Sequence, residues 1–285
     1  CKHEPLLLSI RTNEEEAEKQ LLAKASNKAH ADLGAISAIY DIQLSLLNAD
    51  VTLDSPLTVR IAIDPQLDKA LLGVYLMGED GVLIYLGGQF DGDQIEVSIP
   101  HFGKVAVLSF DKSFDDVAQT YWAYDMLKRM AALHLIEGTS DSTYEPLRSV
   151  TRAEFAAMLV RLLGLEEQSD VHFDDVSSTD WYAGAIAAAT SAGIVNGIEE
   201  GIFAPNRSIT REEMVVMLVR AFNTMANSQS AAVSAFEDRE QTSDWARASL
   251  DKAAALGLIS GRANNLFVPL GITNRAEGAQ AVYNL

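Results

Sequence analysis

Apolar and polar positions alternate through much of the first 111 residues, and this alternation predicts short β-strands with one buried face. Leucine, valine and isoleucine occupy every second position along 57–63, which is the period of a half-buried strand. We also expect a charged helix over 14–27, capped by Asn13. Short strands at this spacing predict a small β-sandwich. The remaining predicted strands cover 6–11, 36–47, 73–77, 82–86, 95–99 and 105–110, with a hairpin turn at 78–81.

Beyond residue 112 the apolar period changes to that of amphipathic α-helices. Phe155, Met158, Leu159 and Leu162 recur at spacings of three and four, which places them on one helical face. Two such helices joined by a loop make one unit, and the unit occurs three times. A single unit cannot bury the apolar faces of both helices, so we expect the three units to pack on one another.

The three units are copies of one tandem repeat. Each copy contains an aromatic residue followed by two acids, a tryptophan, a glycine 16 residues later, an aromatic-x-proline loop, and an arginine 30 residues after the tryptophan. The spacing predicts repeats over 112–165, 171–224 and 234–285, after a first domain over 1–111. In chain order the copies contain Phe114, Trp122, Gly138 and Arg152, then Phe173, Trp181, Gly197 and Arg211, then Phe236, Trp245, Gly261 and Arg275.

The two helices of each repeat carry different end signals. We expect the first helix to start near the tryptophan, capped by Thr120, Thr179 or Ser243, and to end at the glycine in a left-handed C-cap. A capping box is predicted at the second helix, where the N-cap side chain and a glutamate three residues later each accept a backbone amide. These structural capping pairs are Thr151 with Glu154, Thr210 with Glu213, and Asn274 with Glu277.

An arginine occupies the first position of each second helix, where the helix dipole disfavours a cation. Its presence there indicates a role outside the helix. In one explanation its planar fork, beside unpaired helix amides, binds a carboxylate ligand. In the other, each arginine pairs with a neighbouring acid, such as Asp116 or Asp175, and joins the repeats. We expect alanine at this position to leave the fold intact.

Charge and composition exclude several classes of function. The formal net charge is −18, divided equally between residues 1–111 and the remainder, and without basic clusters we expect no nucleic-acid partner. The longest uncharged run, 181–198, is rich in alanine, which favours a packed helix over membrane insertion. Cys1, the sole cysteine, is interpreted as a fragment boundary in preference to a lipid-modified terminus. His134 and His172 stand isolated, so no metal or cofactor is expected.

The repeat motifs resemble those of the S-layer homology family over residues 114–285. The resemblance implies an all-α, pseudo-threefold trimer of repeats within one chain, with grooves between neighbours. It also implies non-covalent attachment to the Gram-positive cell wall through secondary wall polysaccharide, a pyruvylated glycan containing N-acetylmannosamine. Residues 36–110 resemble, less specifically, the sandwich modules that precede such repeats in exported proteins of spore-forming bacteria, which implies a spacer.

The same resemblance implies which residues contact the glycan. They are the arginines Arg152, Arg211 and Arg275, the tryptophans Trp122, Trp181 and Trp245, and the glycines Gly138, Gly197 and Gly261. One tryptophan per two-helix unit is more often a core residue than a sugar platform, so we expect a mainly structural role with an exposed edge at the groove. Glu212 replaces the usual alanine and Asn274 the usual threonine, so the three grooves need not be equivalent.

We therefore predict an α+β chain, with a β-sandwich-like module followed by three helical repeats, that anchors a protein at the cell surface and is not an enzyme. Paired acids such as Asp115 and Asp116 invite comparison with glycoside hydrolases, but their recurrence in a loop of each repeat fits turns better. Two alternatives stay open. One is an S-layer protein whose repeats also associate side by side, and the other is the anchoring tail of an exported glycan hydrolase with its catalytic domain outside this chain.

Overall fold

The computed structural model describes residues 6–12, 14–46, 49–50, 56–170, 172–226 and 233–285. The chain divides into two compact units, 1–144 and 145–285. Helices and antiparallel sheets are both present, which confirms the α+β class. The domain boundary after residue 111 follows the sequence repeat and stays a prediction. The features predicted at Cys1, Asn13 and Leu47 lie outside the described residues.

The N-terminal unit is built from two antiparallel sheets and two helices. The larger sheet has the strand order β1-β3-β10-β6-β7, with β2 on β10 and β4 on β3, and the smaller has the order β5-β9-β8. The elements are β1 (Leu6–Thr12), α1 (Glu15–Ala29), β2 (Asp32–Ala35), β3 (Tyr40–Leu46), β4 (Ala49–Asp50), β5 (Leu57–Ala62), β6 (Leu72–Met77), β7 (Leu83–Gly87), β8 (Gln89–Asp91), β9 (Gln94–Ile99), β10 (Gly103–Asp111) and α2 (Tyr124–Ala132).

Strand β6 lies between two hydrophobic cores, and all six of its residues are buried. Val74 and Leu76 belong to the core that the two sheets share. Tyr75 and Met77 belong to the core between the larger sheet and α1, which also contains Ala132 at the end of α2. Successive residues of a strand point to opposite faces, so a strand buried on both faces loses the polar alternation that β5 keeps.

The predicted strand over 36–47 is wrong in its first part. Strand β2 ends at Ala35 and β3 begins at Tyr40. Between them Ser37 accepts the Val107 amide, and Glu18 on α1 accepts the Ile39 amide at 3.1 Å. Because a side chain on α1 takes the Ile39 amide, that residue leaves the strand ladder and enters the core beneath α1.

The C-terminal unit is helical. It contains α3 (Arg152–Leu162), α4 (Ala183–Ser191), α5 (Arg211–Met225), α6 (Asp244–Ala255) and α7 (Arg275–Tyr283). Helix α3 packs on α4, α5 packs on α6, and α3, α5 and α7 all contact one another. No helix in the described part of the chain combines the length and apolar character needed to cross a membrane.

The first helix of each repeat ends before the position predicted from the glycines. The left-handed residues are His134, Gly193 and Gly257, with φ of 55°, 72° and 70°. They lie four residues before Gly138, Gly197 and Gly261. The first two helices also begin later than predicted, because their N-cap residues are Ala123 and Tyr182 instead of Thr120 and Thr179. Because the first copy has a histidine where the other two have glycine, the sequence gives no common glycine signal at the left-handed position.

Gly138, Gly197 and Gly261 are needed for close packing. A Cβ atom at Gly197 would lie 2.7 Å from the carbonyl oxygens of Glu199 and Ile202. At Gly261 it would lie 2.9 Å from the ring of Phe236. Because glycine has no Cβ atom, the chain at each of these positions lies close to the opening phenylalanine of its own repeat. That phenylalanine packs on the aromatic residue of the loop.

Candidate functional site

Capping boxes begin the three helices α3, α5 and α7. In each, the N-cap side chain accepts the amide of the glutamate three residues later, and that glutamate accepts the N-cap amide. The N-cap amides donate to Glu154, Glu213 and Glu277 at 2.9, 3.0 and 3.1 Å. Reciprocal bonds of this kind fix each glutamate close to the helix start.

The helix amides beside the arginines are not available to a ligand. The Arg152 amide donates to the Arg207 carbonyl and the Ala153 amide to the Pro205 carbonyl, both at 3.0 Å. The same pair of bonds recurs from Arg211 and Glu212 to Gly271 and Pro269, and from Arg275 and Ala276 to Arg148 and Pro146. The expected anion site made of unpaired amides is therefore wrong, because the loop of an adjacent repeat uses those donors.

The arginine side chains are buried, with 4–7% of each residue exposed. Arg152 donates from Nε to the Phe203 carbonyl at 2.9 Å and from Nη2 to the Asn196 carbonyl at 3.0 Å. Its guanidinium also lies over the Phe203 ring, 4.9 Å from the centroid. Arg211 repeats this pattern on Phe267 and Ser260. Both side chains are thus bound to the loop of the next repeat.

The same arginines pair with the capping-box glutamates of adjacent repeats, in a closed cycle. Nη1 of Arg152 lies 3.4 Å from Glu213, Nη1 of Arg211 lies 3.7 Å from Glu277, and Nη1 of Arg275 lies 2.7 Å from Glu154. Joining the repeats was one of the two explanations offered by the sequence. The partner acids differ from those suggested, since Asp175 accepts the Phe203 and Ala204 amides and Asp116 accepts the Tyr144 amide.

A second arginine reaches each capping-box glutamate from its own repeat. Arg148 pairs with Glu154 and Arg207 with Glu213. In the third repeat the corresponding loop position is Gly271, and Arg262 supplies the guanidinium instead, 2.8 Å from Glu277. A Cβ atom at Gly271 would lie 3.0 Å from Nη1 of Arg262, so the glycine makes room for it. Each carboxylate is therefore shared by two guanidinium groups.

Burial and pairing oppose each other at these groups. Burial disfavours ionisation of Glu213, but the Thr210 amide, the Arg207 hydrogen bond and the charge of Arg152 outweigh it, and its pKa lies below the ordinary value. The pKa values of Glu154 and Glu277 are lowered in the same way. For Arg152 and Arg211 burial is the larger effect and lowers the pKa, yet a guanidinium stays charged at neutral pH.

A cleft of about 370 Å³ opens at the Arg152–Glu213 pair. It brings together three residues predicted to contact glycan, one from each repeat: Arg152, Gly197 and Trp245. The other lining residues are Asn196, Ile198, Arg207, Glu213, Val216, Met217 and Arg220. Arg152 uses three of the five N–H groups of a guanidinium in the bonds described above, and the remaining two can serve a ligand.

The tryptophans are surface residues and not core residues, and the exposed edge expected from the sequence is present. Trp122, Trp181 and Trp245 are 57%, 59% and 58% exposed. Trp122 and Trp181 each contact an adjacent tyrosine, at centroid distances of 5.5 and 5.3 Å. An exposed aromatic face is available for contact with a sugar ring or another protein.

Two residues that sequence reasoning did not assign matter at this site. Glu212 is buried and accepts both the amide and the hydroxyl of Ser243, at 3.0 Å each, where α6 begins. The matching positions in the other repeats are the buried alanines Ala153 and Ala276, so Glu212 stands out in the repeat as a departure. Arg220 lines the cleft from α5. The only sign of it in the sequence is one charged residue within an apolar stretch of that helix.

The S-layer homology domain family matches residues 113–156, 172–215 and 235–279. The chain is 38% identical over 257 residues to an amylopullulanase of Thermoanaerobacterium thermosulfurigenes, covering 88% of this chain and 14% of that protein. It is 41% identical over 182 residues to exoglucanase XynX of Acetivibrio thermocellus, covering 63% of this chain and 17% of that protein.

Similarity also extends to surface-layer proteins. The chain is 34% identical over 144 residues to the surface-layer 125 kDa protein of Lysinibacillus sphaericus, covering 50% of this chain and 12% of that protein. The chain thus spans less than a fifth of the length of each of these three relatives. In the amylopullulanase the shared part is longer than the three repeats together, so it includes part of the region before them.

Proposed function

We propose that this chain, which carries three S-layer homology domains, attaches a surface protein to the cell wall of a Gram-positive bacterium by binding an anionic wall polysaccharide. The ligand we favour is a pyruvylated glycan containing N-acetylmannosamine. Binding takes place in the cleft at Arg152, Gly197 and Trp245, and at the related junctions of Arg211 and Arg275. Trp181 serves one of those junctions as Trp245 serves the first, and Trp122 stays a predicted glycan contact.

The observation that carries this proposal is the excess of guanidinium groups over carboxylates at the Arg152 and Arg211 junctions. Two arginines share Glu213 and two share Glu277, so one positive charge at each of these junctions is not neutralised by that glutamate. At Glu154 the second arginine, Arg148, is also paired with Glu145. The whole chain has a net charge of −18 and repels a polyanion on average. Local positive points are therefore needed for an acidic protein to bind an acidic polymer.

The cleft suits a sugar that bears a carboxylate. Its volume of about 370 Å³ lies at the lower end of the range for small-molecule sites, roughly 300–1,000 Å³. The unused N–H groups of Arg152 can donate charge-assisted bonds to a carboxylate. Trp245 and Ile198, both exposed, offer apolar surface to the ring. Gly197 contributes by keeping the loop close to its own repeat.

Two identities of the whole protein fit the comparisons, and the anchoring role is common to both. The similarity to the amylopullulanase covers 88% of this chain, which favours an exported glycan hydrolase whose catalytic domain lies outside it. The similarity to surface-layer proteins favours a structural protein that also associates laterally. In both cases this chain binds and does not catalyse.

Sedimentation with purified cell-wall sacculi tests the proposal. The full chain should co-sediment with native sacculi and stay in solution with sacculi from which secondary polysaccharide has been extracted. Release of reducing sugar, measured in the same samples, should stay at the level of the protein-free control. Equal sedimentation with both preparations would overturn the glycan-binding role, and release of sugar would overturn the non-catalytic one.

A further inference from the structure

We infer that Arg220 binds the anionic group of the ligand at the junction of Arg152 with Glu213. The junction of Arg211 with Glu277 cannot bind that group in the same way, because an asparagine, Asn284, occupies the corresponding position. The inference rests on the proposed function and deepens it, since it assigns charge recognition to one side chain and separates two of the three junctions.

Arg220 differs from the other arginines of the cleft because it has no partner within the described part of the chain. Arg152 is bound to two carbonyls and Glu213, and Arg207 is paired with the same glutamate. Among the described residues, no hydrogen bond or ion pair to Arg220 is found. A partly buried guanidinium that faces a cleft without a protein acceptor is suited to bind one from a ligand.

The repeat makes Arg220 comparable with two other positions. It lies ten residues after Thr210, and the residues ten after Thr151 and Asn274 are Arg161 and Asn284. Asn284 donates from its amide nitrogen to the Leu258 carbonyl at 3.1 Å and accepts from Gln280. The third repeat therefore has, in place of a cation without a partner in the described residues, a neutral side chain that is already hydrogen-bonded.

The substitution changes the charge balance of the two junctions. The Arg152 junction has three guanidinium groups, from Arg152, Arg207 and Arg220, for the one carboxylate of Glu213. The corresponding positions at the Arg211 junction supply two, from Arg211 and Arg262, for the carboxylate of Glu277. At the first junction Arg152 and Arg207 both pair with Glu213. Arg220 is therefore the cation whose charge a ligand carboxylate neutralises.

Titration of the full chain with a pair of monosaccharides tests the inference. The probes are N-acetylmannosamine bearing a pyruvate ketal and N-acetylmannosamine without it. Arg220→Gln should weaken binding of the ketal probe about 10- to 100-fold, the loss expected for a hydrogen bond to a charged group, and leave binding of the neutral sugar unchanged. Arg220→Lys should restore part of the affinity, because it keeps the charge and loses the fork.

The matched control is Arg60→Gln, which removes the same charge from an exposed ion pair in the N-terminal unit and should not alter affinity for either probe. Asn284→Arg should add a site, or strengthen one, for the ketal probe alone. Unfolding midpoints of the two Arg220 variants should match that of the parent, since Arg220 joins no two repeats through an ion pair. Asn284→Arg removes the bond to the Leu258 carbonyl, so its affinity is compared at a temperature well below its own midpoint.

The possible outcomes distinguish failure of this inference from failure of the proposed function. If the parent protein binds the ketal probe and Arg220→Gln binds it equally well, the inference is overturned and the wall-binding role stands. If the neutral sugar loses as much affinity as the ketal probe, Arg220 shapes the cleft and does not read charge. If the parent binds neither probe, the inference fails together with the proposed ligand.

Discussion

Arg275 donates from Nη1 to Oε1 of Glu154 at 2.7 Å, and 121 residues of chain separate the two. This ion pair closes the cycle that the Arg152–Glu213 and Arg211–Glu277 pairs begin. One set of glutamates therefore performs two tasks, since each caps its own helix and receives an arginine from another repeat. One of the three pairs that join the repeats, Arg152 with Glu213, also lines the proposed ligand cleft.

Replacing Arg211 with alanine should lower the free energy of unfolding by roughly 2–4 kcal/mol, because a buried ion pair and two bonds to carbonyls are lost. The three acceptors left behind are Glu277, Phe267 and Ser260. The expectation that alanine leaves the fold intact stays a prediction, and these contacts add that the fold is less stable. Urea-induced unfolding followed by circular dichroism measures the change. Arg60→Ala, which breaks an exposed pair, should cost at most about 1 kcal/mol, and equal losses in the two variants would contradict the account.

Glu212 and Ser243 should prove energetically coupled. Glu212→Ala removes both acceptors of Ser243 at the start of α6, and we expect a loss of about 1–3 kcal/mol for the unsatisfied groups. In a double-mutant cycle, adding Ser243→Ala should cost little more than Glu212→Ala alone. Strict additivity of the two unfolding free energies would show that the bond between the Ser243 hydroxyl and Glu212 contributes nothing.

Asp251 should make the C-terminal unit sensitive to acid. Arg239 donates to both of its carboxylate oxygens, at 2.8 and 2.7 Å, and this lowers the Asp251 pKa to about 2 from 3.8. Since the folded pKa is lowered, the stabilisation is fully present above the ordinary value and is lost as the pH falls from about 4 through 2. Asp251→Asn should therefore be less stable by about 2 kcal/mol at pH 7 and nearly equal to the parent at pH 2. A deficit independent of pH would refute this.

His134 should stabilise the N-terminal unit despite its left-handed backbone. Its ring lies 4.8 Å from those of both Tyr85 and Phe110, and Nε2 lies 3.1 Å from Oη of Tyr75. His134→Gly should lower stability by about 1–2 kcal/mol, because the lost ring contacts exceed the relief of backbone strain. Ala204→Gly is the control, since Ala204 has φ of 58° and no such ring contacts. Greater stability of both variants would show that relief of backbone strain outweighs the loss of the His134 ring contacts.

The repeat and the starts of its second helices could be predicted from the sequence because their signals are local. A capping box needs residues only three apart, and the common spacing from Trp122 to Arg152, Trp181 to Arg211 and Trp245 to Arg275 fixes the alignment. The α+β class followed from the change of apolar period near residue 112. The residues assigned to glycan binding remain predictions, and the structure places Arg152, Gly197 and Trp245 along one cleft.

The burial of the arginines could not be predicted, because their partners lie far away in sequence. Arg152 meets Glu213 after 61 residues, and Glu213 already had a local role as a cap. The strand over 36–47 failed for a related reason, since Glu18 on a separate helix takes the amide of Ile39. Gly138, Gly197 and Gly261 were assigned to helix ends because glycine suits left-handed backbone, whereas close packing against carbonyls explains them.

Binding of the full, unmutated chain to native sacculi and to sacculi stripped of pyruvate ketals tests the central claim most directly. The two preparations differ only in the carboxylate that the cleft arginines are proposed to recognise. We predict an affinity at least tenfold lower for the stripped sacculi, in keeping with the loss of a charge-assisted hydrogen bond. Undiminished binding to ketal-free sacculi would contradict the account and leave the arginines as structural ties between the repeats.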